Sequence, residues 1–200
     1  MSLKINVKDI ISKQKQQVSN LSWAPFLNKA FDEPQFTNFF QKLIDNKAKN
    51  IIFQPPVKDW FKDFFELSAD DLKVVIISEI GLDSIADNFR TNDKLIEQGV
   101  LFYNLIRTFP SQGKSHLEDW RLFNTHFIDY LVTYKRNLIY IFCGFEASQY
   151  ADLITEEQQG YKIFLPELVE GSYNELDIYN LFNQNINNLL EKHNVEQIHW

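Results

Sequence analysis

Apolar positions along the chain follow two rhythms. From 72 to 77 five of six residues are apolar and mostly β-branched, Lys73 being the exception, and Gly81 follows soon after. A short run of that composition predicts a strand buried on both faces, as parallel sheets require. The segments 99–104, 138–143 and 162–165 have the same length and character. Elsewhere apolar residues recur every three or four positions. Trp23, Phe26, Leu27 and Phe31 make one helical stripe, with Ser22 placed to cap it. Phe36, Phe39, Phe40, Leu43 and Ile44 make a second, on a helix that Pro34 opens. Val7, Ile10 and Ile11 mark a short amphipathic turn, and Trp60, Phe61, Phe64 and Phe65 a compact aromatic helix. Further helices are predicted over 89–97, 118–134, 145–157 and 175–192. Ile51-Ile52-Phe53 ahead of Gln54-Pro55-Pro56 reads as a brief extended piece with a hard stop.

Strand and helix in alternation predict the α/β class: a three-layer α/β/α domain around a central four-stranded, mostly parallel sheet. Residues 1–20 read as a polar, helical amino-terminal extension, and 21–200 as a single domain. Sheets of this kind place ligands just beyond the carboxyl ends of their strands, so 78–83 is the first place to look for chemistry.

Composition narrows the function classes. The 200 residues include 18 phenylalanines, enough for a core packed with rings, and carry a net charge of −7. That balance disfavours a whole-surface nucleic-acid binder and leaves room for a weak, local DNA patch. The lone Cys143 and the absence of metal-type Cys/His spacing fit a reducing, cytoplasmic setting. The polar first twenty residues hold no signal-peptide core, and no apolar run reaches membrane-spanning length. Neither a phosphate-binding nor a dinucleotide fingerprint occurs, so no cofactor and no metal is expected.

Several landmarks, in order, resemble the uracil-DNA glycosylases of family 1. They are Trp23-Ala-Pro-Phe-Leu27, Phe31 and Pro34; Pro55-Pro56 with Phe61-Lys-Asp-Phe64; Lys73-Val-Val-Ile-Ile77; and Gln98-Gly-Val-Leu-Phe-Tyr-Asn104. Ser115-His116 with Trp120 and Phe123, Phe142-Cys-Gly144 with Ala147, and Ile198-His-Trp200 continue the series. The resemblance spans Trp23 to Trp200 and implies the glycosylase fold, although a fold alone does not confer an activity.

What the resemblance implies for catalysis is another matter. The family's first strand exits into a Gly-Gln-Asp-Pro-Tyr-His loop, whose Asp orients water and stabilises a cationic sugar. Here the loop is Ser78-Glu79-Ile80-Gly81-Leu82-Asp83, with Ile80 at the Asp position and Leu82 at the Tyr position. The fourth strand's His, a donor to the departing uracil, is answered by Leu165 or Glu167. Leu168 sits where the family carries a wedge, beside Glu167 and Glu170. The long excursion holding the base-stacking Phe is reduced to the interval between Asp83 and Gln98, with only Phe89 in it. Remaining candidates are Glu79, Asp83 and Glu167 as substitute acids, Asn104 for base recognition, and Ser115 with His116 for phosphate. Lys114, Arg107, Lys135 and Arg136 offer scattered phosphate contacts. Two structural alternatives stay open: Asn104 closing its strand by bonding the next turn, and Ser115 capping a helix with Glu118 as its partner. The expectation is a non-catalytic module that binds DNA or a protein. The alternative is a divergent, active base glycosylase.

Overall fold

The computed structural model describes residues 6–79, 93–155, 160–166, 180 and 182–200. Helices Val7–Val18 (α1), Ala24–Asp32 (α2) and Pro34–Ala48 (α3) come first, followed by a two-residue strand, Phe53–Gln54 (β1), and a short helix, Asp63–Glu66 (α4). Strand Val74–Ser78 (β2), helix Asp93–Glu97 (α5) and strand Val100–Asn104 (β3) follow. A second two-residue strand, Phe109–Pro110 (β4), leads into the longest helix, Leu117–Tyr134 (α6). Strand Ile139–Cys143 (β5), helix Phe145–Ser148 (α7), strand Tyr161–Leu165 (β6) and helix Asn187–Lys192 (α8) complete the order among the described residues.

Strands β3-β2-β5-β6 form one sheet in that order, and every pairing in it is parallel. Successive side chains of a strand point to opposite faces, and here the two sets join different cores. Val75, Ile77, Leu101, Tyr103, Tyr140 and Phe142 pack against α1, α2, α3 and α6. Val74, Ile76, Val100, Phe102, Ile139, Ile141 and Cys143 pack against Leu95, Ile186, Leu190 and Ile198. A strand that feeds two cores must be apolar at every position, which is why 72–77 shows no alternation. The result is the expected three-layer α/β/α arrangement. Rings dominate the larger core: Trp23 meets Phe64 edge-on at 5.2 Å, and Tyr103 stacks on Phe127 at 3.9 Å between centroids.

Some local expectations change. α1 runs for 12 residues rather than one turn, and Val7 and Val18 are buried in the ring-rich core. Lys- and Gln-rich solvent positions hide that periodicity. Ser22 does not cap α2: its hydroxyl accepts from the Ala69 N–H at 2.7 Å and bonds Ser68 Oγ at 3.0 Å. The aromatic segment is a 3₁₀ turn, Val57–Asp59, and the four-residue α4, with Phe65 left exposed. The predicted helix 145–157 is α7 followed by a 3₁₀ stretch, Gln149–Leu153. Toward the carboxyl terminus a π-helical turn, Phe182–Ile186, precedes α8. The predicted starts at 89 and 175 lie outside the described residues. β1 pairs antiparallel with β4 as a separate two-stranded sheet that sequence patterning does not signal.

Candidate functional site

Register brings the four strand ends level. Ser78 pairs with both Asn104 and Cys143, and Cys143 with Leu165. The exits are laced together by backbone bonds: Leu105 N–H donates to Ser78 C=O at 2.8 Å, Ile106 N–H to Glu79 C=O at 3.2 Å, and Gly144 N–H to Leu165 C=O at 3.0 Å. Glu79 and Asn104 therefore leave the sheet side by side, both half-buried. Leu165 ends β6 with its side chain packed on the smaller core. Asp83 and Glu167 lie outside the described residues, as do Ile80, Leu82, Phe89, Leu168 and Glu170.

Asn104 holds the unusual atom of the site. Its Oδ1 is sequestered from solvent without a hydrogen-bond partner. An acceptor left in that state costs about 1–3 kcal/mol, so the environment favours a donor arriving from outside. Asn104 lines a cleft of about 160 Å³ together with Trp60, Asp63, Phe102, Ile106 and Arg107.

Arg107 sets one wall of that cleft and is 6 % exposed. Its guanidinium forms a fork on Asp63, with Nη1 donating to Oδ1 at 2.9 Å and Nη2 to Oδ2 at 2.8 Å; Nη1 also donates to Trp60 C=O at 3.0 Å. Its Cζ lies 4.4 Å from the Tyr103 ring centroid and 4.8 Å from that of Phe64. Burial, the largest single influence, would lower the guanidinium's affinity for its proton, and Asp63 and Tyr103 together outweigh it, so the pKa ends above the ordinary arginine value. A cation held this way is a structural ion pair, and phosphate would have to displace Asp63 to reach it. Tyr103, beneath it, is pushed above the usual phenol range by burial and donates to Asn124 Oδ1 at 2.8 Å. Asn124 returns an amide proton to Leu105 C=O at 3.0 Å, which fixes the turn that follows Asn104.

Ser115 and His116 begin α6 and part company there. Ser115 is exposed, and its Oγ accepts from Leu117 N–H at 3.2 Å, while Glu118 pairs with Arg121 at 2.9 Å instead of reaching back to complete a capping box. His116 is only 2 % exposed, with Nδ1 2.8 Å from Thr108 Oγ1, and that hydroxyl also accepts from Trp120 Nε1 at 2.8 Å. Burial lowers the His116 pKa, with Lys42 adding to the effect and Asp119 opposing it. Lys114 is exposed beside Ser115. Lys135 and Arg136 sit between α6 and the start of β5, away from its carboxyl end, and bond the carbonyls of Asp70 and Val132. Sequence reasoning missed Asp63, Thr108 and Asn124, because each acts through a partner too distant in the chain to show as a motif. Among the described residues no cluster of three or more His, Cys, Asp or Glu could hold a metal ion, and no helix is long and apolar enough to cross a membrane.

Comparison with known proteins agrees with the fold. No family model matches the chain. A curated uracil-DNA glycosylase of Buchnera aphidicola is 26% identical over 174 residues, covering 68% of this chain and 79% of the relative. That of Blochmanniella floridana is 24% identical over 219 residues, covering 90% and 98%. Among solved structures, mimivirus uracil-DNA glycosylase superposes with a TM-score of 0.72 at 18% identity, covering 98% of this chain and 90% of that one. A glycosylase structure from Nitratifractor salsuginis gives 0.55 at 12% identity, covering 82% and 90%. In sequence this chain is similar to curated uracil-DNA glycosylases, and its fold is that of the solved uracil-DNA glycosylase structures.

Proposed function

We propose that this chain binds DNA through a glycosylase fold without excising uracil. The observation that carries the reading is the exit of β2. The strand ends in register with Asn104, and two residues later, where the resembled family has the water-orienting Asp, this sequence has Ile80. An isoleucine offers no charge to a developing sugar cation. The exit of β6 continues as Leu165-Pro166-Glu167, with no donor for a departing uracil. Losing one preorganised polar group of this kind slows an enzyme by about a hundredfold to a thousandfold, and here two are replaced. Binding is a lesser demand. Asn104 retains an amide beside a cleft, and Ser115 and Lys114 stand exposed at the start of α6.

Uracil-containing single- and double-stranded oligonucleotides test both halves of this. Alkaline gels should show no uracil release beyond background, even at long times, and fluorescence anisotropy should show binding that weakens with salt along a negative log–log slope. Catalytic, stoichiometry-independent release would overturn the proposal. Absence of binding at low salt would shift it to a protein partner.

The buried, unpartnered Oδ1 of Asn104, together with the activity named for the curated relatives, favours a second reading. In that reading the chain is a divergent glycosylase acting on another base, with Glu79, Asp83 or Glu167 as its acid. Asn104→Ala would then abolish whatever excision is detected, and unchanged activity would remove this reading.

A further inference from the structure

A second surface lies at β1, adjoining the Asn104 cleft through Pro55 and Trp60, which line both. A groove of about 500 Å³ is lined by Lys47, Ile51, Ile52, Phe53, Pro56, Val57 and their immediate neighbours. Side chains of consecutive residues in an extended segment point to opposite faces, so a groove that touches 51, 52 and 53 together runs along the backbone edge. That edge is open. Ile52 N–H donates to Ser111 Oγ at 3.1 Å, and Ile52 C=O accepts from Ser111 N–H at 2.8 Å. The alternation of an antiparallel ladder therefore turns the N–H and C=O of Phe53 to the side away from β4. The sheet has two strands, so among the described residues no third strand covers that side.

The groove's chemistry narrows the occupant. Ile52 is 64 % exposed and Val57 44 %, two large aliphatic side chains on one small surface. None of the lining residues is acidic, although acidic residues outnumber basic ones 27 to 20 in the chain. Lys47 stands on the wall, and Lys49 is exposed nearby. A single-stranded nucleic acid would want exposed flat rings to stack on. Of the two flat rings in the lining, Trp60 is 3 % exposed and donates its indole N–H to Pro55 C=O at 2.8 Å, and Phe53 is half-buried with its ring 5.8 Å from that of His116. Aliphatic anchors beside an unpaired strand edge suit a peptide better.

We infer that this groove takes an extended segment of a partner protein, which adds a strand to β1 and carries apolar side chains at alternate positions with Asp or Glu between them. The probe is a fluorescein-labelled decapeptide of alternating Val and Glu, titrated by anisotropy into the full chain, beside a Val–Lys peptide and a single-stranded thymidine oligonucleotide of equal length. The acidic peptide should bind saturably with Kd below about 1 mM and more tightly than the lysine peptide. Ile52→Asp and Lys47→Glu should each weaken it by about tenfold. Both positions are on the surface, and circular dichroism checks that the variants stay folded. N-methylating alternate peptide nitrogens should abolish binding in one phase and spare it in the other. No saturable binding, equal binding of the lysine peptide, or indifference to Ile52→Asp would overturn the inference. Tighter oligonucleotide binding that Ile52→Asp removes would overturn it in favour of nucleic acid. A dimer that Ile52→Asp dissolves in light scattering would overturn it in favour of a second copy of the chain.

Discussion

Arg107 shows how far a residue's role can lie from its local sequence. In the run Leu105-Ile106-Arg107-Thr108-Phe109 it reads as a lone cation free to meet phosphate. Its partner Asp63 stands 44 positions earlier, and only the fold brings α4 against the exit of β3. Removing one member of a buried pair leaves the other charge stranded, which costs more than the pair itself contributes. Asp63→Ala should therefore destabilise the protein by about 3–5 kcal/mol in urea unfolding. Adding Arg107→Met to Asp63→Ala should recover most of that loss, and failure to recover would mean the pair is not what Asp63 supports. His116 makes a prediction in pH. Its folded-state pKa is depressed below the ordinary value of 6.5, so the unfolded chain binds the proton more readily. The neutral form's contribution is complete above pH 6.5 and is lost as pH falls through the depressed value. Urea midpoints should drop on going from neutral to mildly acidic pH, and His116→Asn should flatten that drop. An identical pH profile in the variant would assign the acid sensitivity to other groups.

Among elements, the four sheet strands were legible because each is apolar on both faces or nearly so, a pattern few other segments can imitate. β1 was legible only as a brief extended piece at 51–53 and β4 not at all, since two residues beside prolines carry no periodicity and their pairing depends on a partner more than fifty positions away. The turn into β3 was legible only as a glycine. Gly99 has φ +96°, and its carbonyl accepts from both Lys73 N–H at 2.9 Å and Val74 N–H at 3.1 Å, fixing where β3 starts against β2. A Cβ at this position would lie 2.4 Å from the Asp71 carbonyl oxygen, a backbone atom that cannot rotate away. Gly99→Ala thus combines a left-handed backbone with a backbone clash. It should cost more than the roughly 1 kcal/mol of an ordinary glycine-to-alanine change at positive φ. Denaturation curves that match those of the unmodified protein would show that β3 can re-register at little cost. The same parallel registry brings Ser78, Asn104, Cys143 and Leu165 level, so this glycine sets the site's geometry from the far end of the sheet.

For the molecule as a whole, the fold was largely readable and the candidate site only partly so, for a physical reason. Core positions are specified by many redundant contacts, and an order of ring-rich stripes and apolar runs survives extensive change. A reaction site depends on a few polar groups, and the proposed loss of activity rests on two positions, Ile80 at one and Leu165 or Glu167 at the other. The reach of that frame tests the role of the first twenty residues. α1 packs on α2 and α3, with Val7 and Val18 buried, Ile10 and Ile11 partly so, and Lys15 paired to Asp32. The surface pair contributes little. Two buried valines are worth about 3 kcal/mol together, which in a domain of this size corresponds to about 6–12 °C in Tm. Deleting residues 1–19 should lower Tm by that amount and expose apolar surface on α2 and α3, measurable as dye binding below the transition. An unchanged Tm would make the segment an appendage, and the ring-rich layer would then have to be complete from Trp23 onward.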